Sequence, residues 1–197
     1  MSKLDKASVV VIGGGAIGTA ALFYLTKLGV TDVVLVERDY LAANSTGRCA
    51  GGIRAQWSTP ANVKLATYSV NSFAHFEEEV GYNTDWYQGG YLLVAYTDEQ
   101  VEAFKKNIEL QRSCGLDVRL VKPDEIPAIV PYLNTNDMKA AAHCPTDGHA
   151  NPFLTCQGYV NAAKKKGARA YLYTNVTDIV VEDGKCTTVR TSRGDIE

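Results

Sequence analysis

The sequence has few of the features that mark three common classes of protein. Its 20 lysines and arginines stand against 22 aspartates and glutamates, so the net charge is only −2. Because the two signs are interspersed, no basic patch predicts a nucleic-acid partner and no polybasic segment predicts a membrane surface. The five cysteines are an odd number without paired spacing, which argues against a disulfide framework and favours reduced thiols in a cytoplasmic protein. Internal repeats and low-complexity linkers are absent too.

One apolar stretch stands at the start of the chain, MSKLDKASVVVIGGGAIGTAALFYL. It lacks a small-residue cleavage site, and glycines interrupt it throughout. We therefore interpret it as strand, loop and helix rather than as a signal peptide or a membrane span. Apolar residues make up 46% of the 197 residues, which is enough to form a sizeable core in one domain or two small ones.

A strand–helix–strand unit opens the chain. The β-branched run 8–12 predicts a buried parallel strand, 16–28 predicts a helix ended by Gly29, and 32–37 predicts a second strand. Beyond this unit the patterns predict these elements in order: a helix from Pro60 to about Glu79, a strand in 89–96, a helix in 97–115 with a Thr97–Gln100 capping box, a strand in 117–121, a short helix in 123–133, a strand in 139–144, a helix from Asn151 to about Lys166, and strands in 168–174, 176–183 and 186–192. Asp183-Gly184 predicts a hairpin turn between the last two.

A glycine fingerprint follows the first predicted strand. Gly13, Gly15 and Gly18 match the G-x-G-x-x-G pattern, which allows a tight turn, close approach of backbone to a pyrophosphate, and close packing of helix on strand. The bare pattern is weak evidence, but here it lies between a strand and a helix, and Glu37 ends the next strand. A carboxylate there accepts hydrogen bonds from a ribose diol and repels a 2′-phosphate, which favours FAD or NAD over NADP. Arg38 covers the adenosine or is a solvated surface arginine.

A second glycine cluster, STGRCAGGIR, follows within the next loop. A nicotinamide cofactor needs one phosphate loop, whereas a flavin also has a ribityl chain and a bulky ring. Glycines at 47, 51 and 52 let backbone N–H groups lie along such a chain without side-chain clashes. The second cluster therefore favours FAD over NAD.

With these motifs in place, the sequence resembles the FAD-dependent oxidoreductases of the D-amino-acid oxidase type. The segments RCAGGIRAQW, ANVKLATYSV, QGGYLLVAYTDEQVEAFKKNIELQ and PTDGHANPFLT are most similar to the β subunits of dye-linked L-proline dehydrogenase and to sarcosine-oxidase β-subunit-like proteins. The resemblance implies an α/β fold: a Rossmann-like FAD-binding domain with part of an α+β substrate domain inserted. It implies FAD-binding segments at 1–81 and 147–197, the latter incomplete at its C-terminus, and a partial substrate domain at 82–146.

The resemblance also implies roles for individual residues. Gly13, Gly15 and Gly18, with Ala16 and Ile17 between them, would bind the pyrophosphate, and Glu37 and Arg38 the adenosine. Val176 would place its backbone against the adenine. The remaining cofactor contacts would come from the second glycine cluster: Ser45, Thr46, Gly47, Arg48, Cys49, Gly51, Gly52 and Ile53.

The implied reaction is oxidation of a secondary amine or amino acid, of the proline, sarcosine or glycine class, to an imine by hydride transfer to flavin N5. Arg54 is the candidate electrostatic partner of the flavin or of a substrate carboxylate, and bracing its own loop is an equal alternative. An α-type subunit, a separate electron acceptor and an oligomer are implied as partners. Family members continue beyond residue 197, so we expect these residues to be an N-terminal fragment that does not turn over substrate alone.

Several alternatives stay open beside this interpretation. An NAD-linked dehydrogenase or a non-catalytic dinucleotide-binding protein would share the first fingerprint. His143, Cys144, His149 and Cys156 could be considered as zinc ligands, but their spacing matches no common zinc pattern, so we predict no metal site. Cys49 has no second cysteine close to it in sequence, which favours a small residue against the cofactor over a redox thiol.

Overall fold

The computed structural model describes residues 3–197. Along them the chain forms twelve strands: β1 (Lys3–Asp5), β2 (Val9–Ile12), β3 (Val33–Val36), β4 (Gly52–Ile53), β5 (Tyr91–Ala95), β6 (Arg119–Val121), β7 (Ala140–Cys144), β8 (Gly148–His149), β9 (Arg169–Tyr171), β10 (Val176–Glu182), β11 (Lys185–Thr191) and β12 (Gly194–Ile196). The α-helices are α1 (Ala16–Lys27), α2 (Pro60–Ala74), α3 (Phe76–Val80), α4 (Asp98–Ser113) and α5 (Pro152–Lys165). Among these residues no helix combines the length and apolar character needed to span a bilayer.

The chain forms two compact units, and a parallel sheet lies at the centre of the first. This unit comprises the described residues up to Gly51, together with Phe76–Asp85 and Asn151–Glu197. Its sheet has the order β2-β3-β9, with β3 in the middle and every residue of β3 buried. Alternate β3 residues pack on opposite faces of the sheet: Val33 and Leu35 contact the cluster that includes Leu22 of α1, while Val34 and Val36 pack with Val189 and Ile196. The predicted strand 32–37 is confirmed at Val33–Val36. The run 8–12 also forms a strand, β2, but it is half-buried rather than buried, because it lies at the end of this sheet.

A second sheet in the same unit has the order β1-β12-β11-β10. Asp183 and Gly184 join β10 to β11 with φ values of 50° and 75°. Two consecutive left-handed residues form the turn that suits a two-residue hairpin, and aspartate followed by glycine is a preferred pair for it. The predicted hairpin is confirmed.

An ion-pair network in the first unit joins β1, β9 and the residue that precedes β3. Arg169 Nε donates to Asp5 Oδ2 at 2.7 Å and its Nη2 donates to Asp32 Oδ1 at 2.9 Å. The Tyr171 hydroxyl donates to the same Asp5 oxygen at 2.9 Å. Burial alone would raise the pKa of Asp5, but hydrogen bonds from the Lys6 N–H, Arg169 and Tyr171 outweigh it and lower that pKa. The hydrogen bond from Arg169 is the largest cause of the lowered pKa of Asp32.

The second unit comprises Gly52–His75 and Trp86–Ala150. Its antiparallel sheet has the order β5-β7-β6, and a short pair joins β4 to β8. Thr97 accepts from the Gln100 N–H at the start of α4 while the Gln100 side chain accepts from the Thr97 N–H, so the predicted capping box is confirmed. A core cluster that includes Val70 and Ile108 lies between the helices and the sheet.

Two helix predictions are wrong in detail. The apolar pattern from Pro60 to Glu79 predicts one helix, but the chain leaves helical geometry at His75, where φ is −110° and ψ is 17°. The His75 N–H and Nδ1 both lie near the Asn71 carbonyl, and the chain passes there from one compact unit to the other. The short helix predicted in 123–133 is a single 3₁₀ turn at Ile126–Ala128. The compact units divide the chain at 51/52, 75/76, 85/86 and 150/151, while the predicted domain boundaries stay a prediction.

Candidate functional site

The glycine fingerprint forms a tight loop between β2 and α1. Gly13 has a φ of 109°, a region that favours glycine, and its N–H donates to the Val36 carbonyl at 2.8 Å. A Cβ on Gly18 would strike the Gly13 carbonyl, because helix and loop lie in direct contact there. The spacing of the first and third glycines is thus required by the backbone, as the sequence predicts.

The first turn of α1 is open to an anion. Its N-cap residue, Gly15, has no side chain that could cap the helix. The Thr46 hydroxyl accepts from the Ala16 N–H at 3.1 Å, and Ile17 is 89% exposed. A helix leaves its first N–H groups without helical partners and carries positive charge there. The start of α1 therefore fits a phosphate group, with Thr46 of the second glycine cluster beside it.

Glu37 organises the fingerprint loop from the end of β3. Its Oε2 accepts from the Gly14 N–H at 2.6 Å and its Oε1 accepts from the Asp39 N–H at 2.8 Å. The residue is 9% exposed, so both bonds are largely removed from water. Each carboxylate oxygen has a second lone pair, so Glu37 can hold these two N–H groups and still accept from a ribose hydroxyl.

A cavity of about 160 Å³ lies beside Glu37. It brings together four residues that the sequence predicts as cofactor contacts: Gly13, Glu37, Arg38 and Val176. The volume is below the roughly 300 Å³ at which pockets for whole drug-sized ligands begin, so it fits one part of a dinucleotide. Sequence reasoning missed Asn44, Thr174 and Asn175 in its wall. No local motif marks these polar residues, which come from two distant loops.

The second glycine cluster folds as consecutive turns. The Gly47 N–H donates to the Ala42 carbonyl at 2.8 Å, and the Arg48 N–H donates to the Asn44 carbonyl at 3.1 Å. A Cβ on Gly47 would strike the Ala42 carbonyl and would also meet the Phe153 ring, so only glycine fits. Ser45 lies within the same turns. This compact geometry places Thr46 against α1.

The rest of the cluster runs from Cys49 into β4. The Cys49 thiol is exposed and donates to the Thr46 carbonyl at 2.9 Å. Gly51 has a φ of 74°, and a Cβ on Gly52 would lie 2.9 Å from the Tyr91 ring. Gly51 therefore has a backbone conformation that favours glycine, and Gly52 has no room for a side chain.

Arg54 lies in the second unit at the end of β4. Its guanidinium stacks over the Trp57 indole, 4.6 Å from the ring centroid, and its Nη1 lies 3.5 Å from the Gln56 carbonyl. Within residues 3–197 no carboxylate forms an ion pair with it. A cavity of about 560 Å³, a size typical of small-molecule sites, is lined by Arg54, Trp57, Gly52 and Ile53. Asp147 interacts with Arg54 at longer range, since Arg54 is among the causes that lower the pKa of Asp147. Arg54 is thus a cation on a cavity wall with no ion pair among residues 3–197.

Two of the side chains considered as zinc ligands, Cys144 and Cys156, are buried thiols. Burial raises the pKa of both Cys144 and Cys156, which disfavours the thiolate that binds zinc. Burial is the largest cause of the lowered pKa of His143. Across the described residues no group of three or more histidine, cysteine, aspartate or glutamate side chains could hold a metal ion.

Comparison with known proteins decides the family. The family described as FAD dependent oxidoreductase (DAO) matches residues 8–197. The chain belongs to the DAO family of FAD-dependent oxidoreductases. This confirms the predicted family and fold class, and the cofactor of the family is FAD. The glycine-rich cradle, the open start of α1 and the small cavity beside Glu37 fit the pyrophosphate and adenosine parts of that cofactor.

Individual similar proteins show how much of a longer protein this chain represents. It is 37% identical to L-proline dehydrogenase from P. horikoshii, whose crystal structure superposes with a TM-score of 0.91 over 98% of this chain and 51% of that one. Mitochondrial sarcosine dehydrogenase of Mus musculus is 32% identical over 90% of this chain and 19% of that protein. The mitochondrial pyruvate dehydrogenase phosphatase regulatory subunit of the same species is 30% identical over 98% of this chain and 22% of its own length. The chain spans about half of the solved relative and about a fifth of the curated ones.

Proposed function

We propose that the full-length protein oxidises a secondary amine or amino acid of the proline, sarcosine or glycine class to an imine. Membership of the DAO family and similarity to proteins named for proline and sarcosine support this substrate class. The observation in this chain that best supports it is Arg54, a cation on a cavity wall that forms no ion pair among residues 3–197. A guanidinium can grip a substrate carboxylate with two hydrogen bonds.

The residues of the chain divide the work between cofactor and substrate. The chemistry that bound FAD supplies is two-electron oxidation, in which a hydride equivalent leaves the α-carbon for flavin N5. The N–H groups at the start of α1 and the Thr46 hydroxyl hold the pyrophosphate, and Glu37 accepts from the ribose. Val176 contacts the adenine with its backbone, and Arg38 covers the adenosine.

The second glycine cluster holds the remainder of the cofactor. Its backbone would hold the ribityl chain and the flavin ring, and the close protein contacts at Gly47 and Gly52 explain why neither position carries a side chain. The members of the cluster assigned to this role are Ser45, Thr46, Gly47, Arg48, Cys49, Gly51, Gly52 and Ile53. Arg54, directly after them, binds the substrate carboxylate.

The protein acts as the β-type subunit of a cytoplasmic dehydrogenase complex. Its partners are an α-type subunit and an electron acceptor, either oxygen or a separate carrier. Copurification of the full-length protein with an α-type subunit would support this assembly, and a protein that reduces dyes at full rate alone would contradict it.

An absorption spectrum and a dye-reduction assay test the function. The full-length protein, purified with its α-type subunit or reconstituted with FAD, should show flavin bands. In the complex with that subunit, proline, hydroxyproline, sarcosine or glycine should reduce a dye. Arg54→Gln should raise KM for the oxidised amino acid by about 100-fold, as expected for a lost charged hydrogen-bonding partner worth roughly 3 kcal/mol. Arg119→Gln, which removes an exposed arginine of the same unit, is the control. Absence of flavin bands, or of dye reduction with all four amino acids, would refute the proposal.

A non-catalytic role is the second candidate, and one relative favours it. The pyruvate dehydrogenase phosphatase regulatory subunit matches nearly the whole of this chain, although its name describes regulation rather than oxidation. A protein that binds FAD but oxidises none of the four amino acids would support this candidate. If the protein instead binds NAD and does not bind FAD, this result would support a nicotinamide-linked dehydrogenase.

A further inference from the structure

The loop that carries Arg54 rests on a fully buried carboxylate. Asp147, in the turn before β8, has no exposed surface. Its Oδ1 accepts from the Ala55 N–H at 2.9 Å, and its Oδ2 accepts from Gln56 Nε2 at 3.3 Å. Both donors belong to the residues that directly follow Arg54. Asp147 therefore ties down the chain at the base of the Arg54 side chain.

Two buried glutamines extend this support. Gln56 and Gln111 are each 3% exposed. Gln56 Nε2 also donates to the Tyr91 carbonyl at 2.9 Å, and Gln111 Nε2 donates from α4 to the Trp57 carbonyl at 2.9 Å. Because every acceptor here is a carbonyl or a carboxylate, neither amide can turn over without placing oxygen against oxygen. Each glutamine thus holds one fixed orientation, and the loop is held from both the sheet and the helix.

Trp57 transmits this support to the guanidinium. Its Nε1 donates to the Arg54 carbonyl at 3.2 Å, and its ring lies under the Arg54 side chain. A second cavity of about 290 Å³, lined in part by Arg54, Trp57, Gln56 and Gln111, adjoins the loop. Ala55 packs in the core of the unit, but the cavity leaves room on the other side of the loop. The hydrogen bonds that Asp147 accepts and Gln111 donates add to this packing.

We propose that Asp147 and Gln111 are positioning residues that hold Arg54 ready for the substrate carboxylate. The inference rests on the proposed function of Arg54. The network costs stability, because the Oε1 atoms of both glutamines are buried without a partner among the described residues. Burial also raises the pKa of Asp147. An apolar support would avoid these costs, but it would not fix the loop in one orientation.

Two substitutions separate positioning from general stability. Gln111→Met removes the donor to the Trp57 carbonyl but also removes an unpartnered acceptor, so the two effects on stability oppose each other. Asp147→Asn keeps the shape of the side chain but has a single acceptor. If that oxygen keeps the Ala55 N–H, the new amide NH₂ faces Gln56 Nε2, donor against donor. Ile126→Val, which removes one methylene from the other core cluster of the unit, is the control for modest destabilisation.

Amide hydrogen exchange of the loop is the first measurement, made on the full-length protein with and without acetate as a carboxylate probe. A peptide spanning 53–58 should exchange at least about tenfold faster in Gln111→Met and Asp147→Asn than in wild type, because a lost tether lowers the cost of local opening. Acetate should slow this exchange in wild type but not in Arg54→Gln. Unchanged exchange in both variants, or no effect of acetate on wild type, would overturn the proposal.

Steady-state kinetics with the amino acid that the wild type oxidises is the second measurement. Both variants should raise KM by about tenfold while kcat changes by less than about threefold, the pattern of lost substrate binding. In an Arg54→Gln background, Asp147→Asn should raise KM no further, because Asp147 acts through Arg54. Additive effects, or a matching rise in KM for Ile126→Val, would overturn positioning. A wild type that oxidises none of the amino acids would refute the proposed function, while the exchange data would still test the tether.

Discussion

Glu37→Gln is the most discriminating test of the adenosine end of the site. The Glu37 carboxylate accepts from two backbone N–H groups, those of Gly14 and Asp39. A glutamine amide of the same shape has one acceptor oxygen. One of the two N–H groups would therefore face an NH₂ group at a residue that is only 9% exposed.

The magnitude follows from these two bonds. A hydrogen bond to a charged acceptor contributes about 1.5–3 kcal/mol, and a buried N–H left unpaired costs about 1–3 kcal/mol. We therefore expect Glu37→Gln to lower the free energy of unfolding by roughly 3 kcal/mol. If the ribose also donates to this carboxylate, the Kd for FAD should rise by about tenfold to 100-fold, since each 1.4 kcal/mol is a factor of ten.

Denaturant unfolding and FAD titration measure the two effects separately. Asp39→Asn is the matched control, because it removes the same charge two residues away, where the Asp39 side chain accepts from the exposed Tyr40 N–H. It should leave both quantities close to those of wild type. If Glu37→Gln matches wild type in both stability and FAD affinity, the reasoning about the loop and the ribose is wrong. A loss of stability without a loss of affinity would restrict Glu37 to a structural role.

Two further predictions concern the same unit. Thr46→Val removes the acceptor of the Ala16 N–H at the start of α1, and should cost about 1 kcal/mol in urea unfolding and weaken FAD binding; unchanged FAD affinity would place the pyrophosphate elsewhere. Arg169→Gln removes the cation whose hydrogen bonds lower the pKa of Asp5 and Asp32. Groups with lowered pKa stabilise the fold above their ordinary pKa and lose this effect as pH falls through the lowered value, so the acid-unfolding midpoint should move to higher pH. Equal midpoints in an acid titration monitored by circular dichroism would contradict this.

The sequence predicts the local elements of this protein well, and the reasons are local. β-branched runs, glycine stops and the capping box at Thr97 depend on residues a few positions apart. The prediction of one continuous helix through His75 is wrong for a tertiary reason. Apolar spacing continues through this residue from Val70 to Phe76, but the chain changes from one compact unit to the other there, which periodicity does not report.

The residues of the candidate site also differ in how far they could be predicted from local sequence. The fingerprint glycines and Glu37 are predictable because their spacing follows from one strand–loop–helix–strand unit. Asn44 and Thr174 are not, because the cavity wall joins two loops that are far apart in the chain. Asp147 was part of a recognisable segment, PTDGHANP, but its hydrogen bond to the Ala55 N–H spans 92 residues.

The sequence by itself indicated a dinucleotide cofactor, because glycine spacing and an acidic residue after the second strand are chemical requirements of short segments. The second glycine cluster favoured FAD, and the resemblance of several segments indicated the family. The sequence also identified Arg54 as a candidate for carboxylate binding but did not predict which residues hold the loop that carries it. Only the tertiary structure decided that Thr46 meets the start of α1 and that Glu37 holds two backbone N–H groups. It likewise brought Asp147 and Gln111 into hydrogen bonds with the three residues that follow Arg54. These contacts depend on how distant segments pack, and burial gives each hydrogen bond its weight because water no longer competes for it.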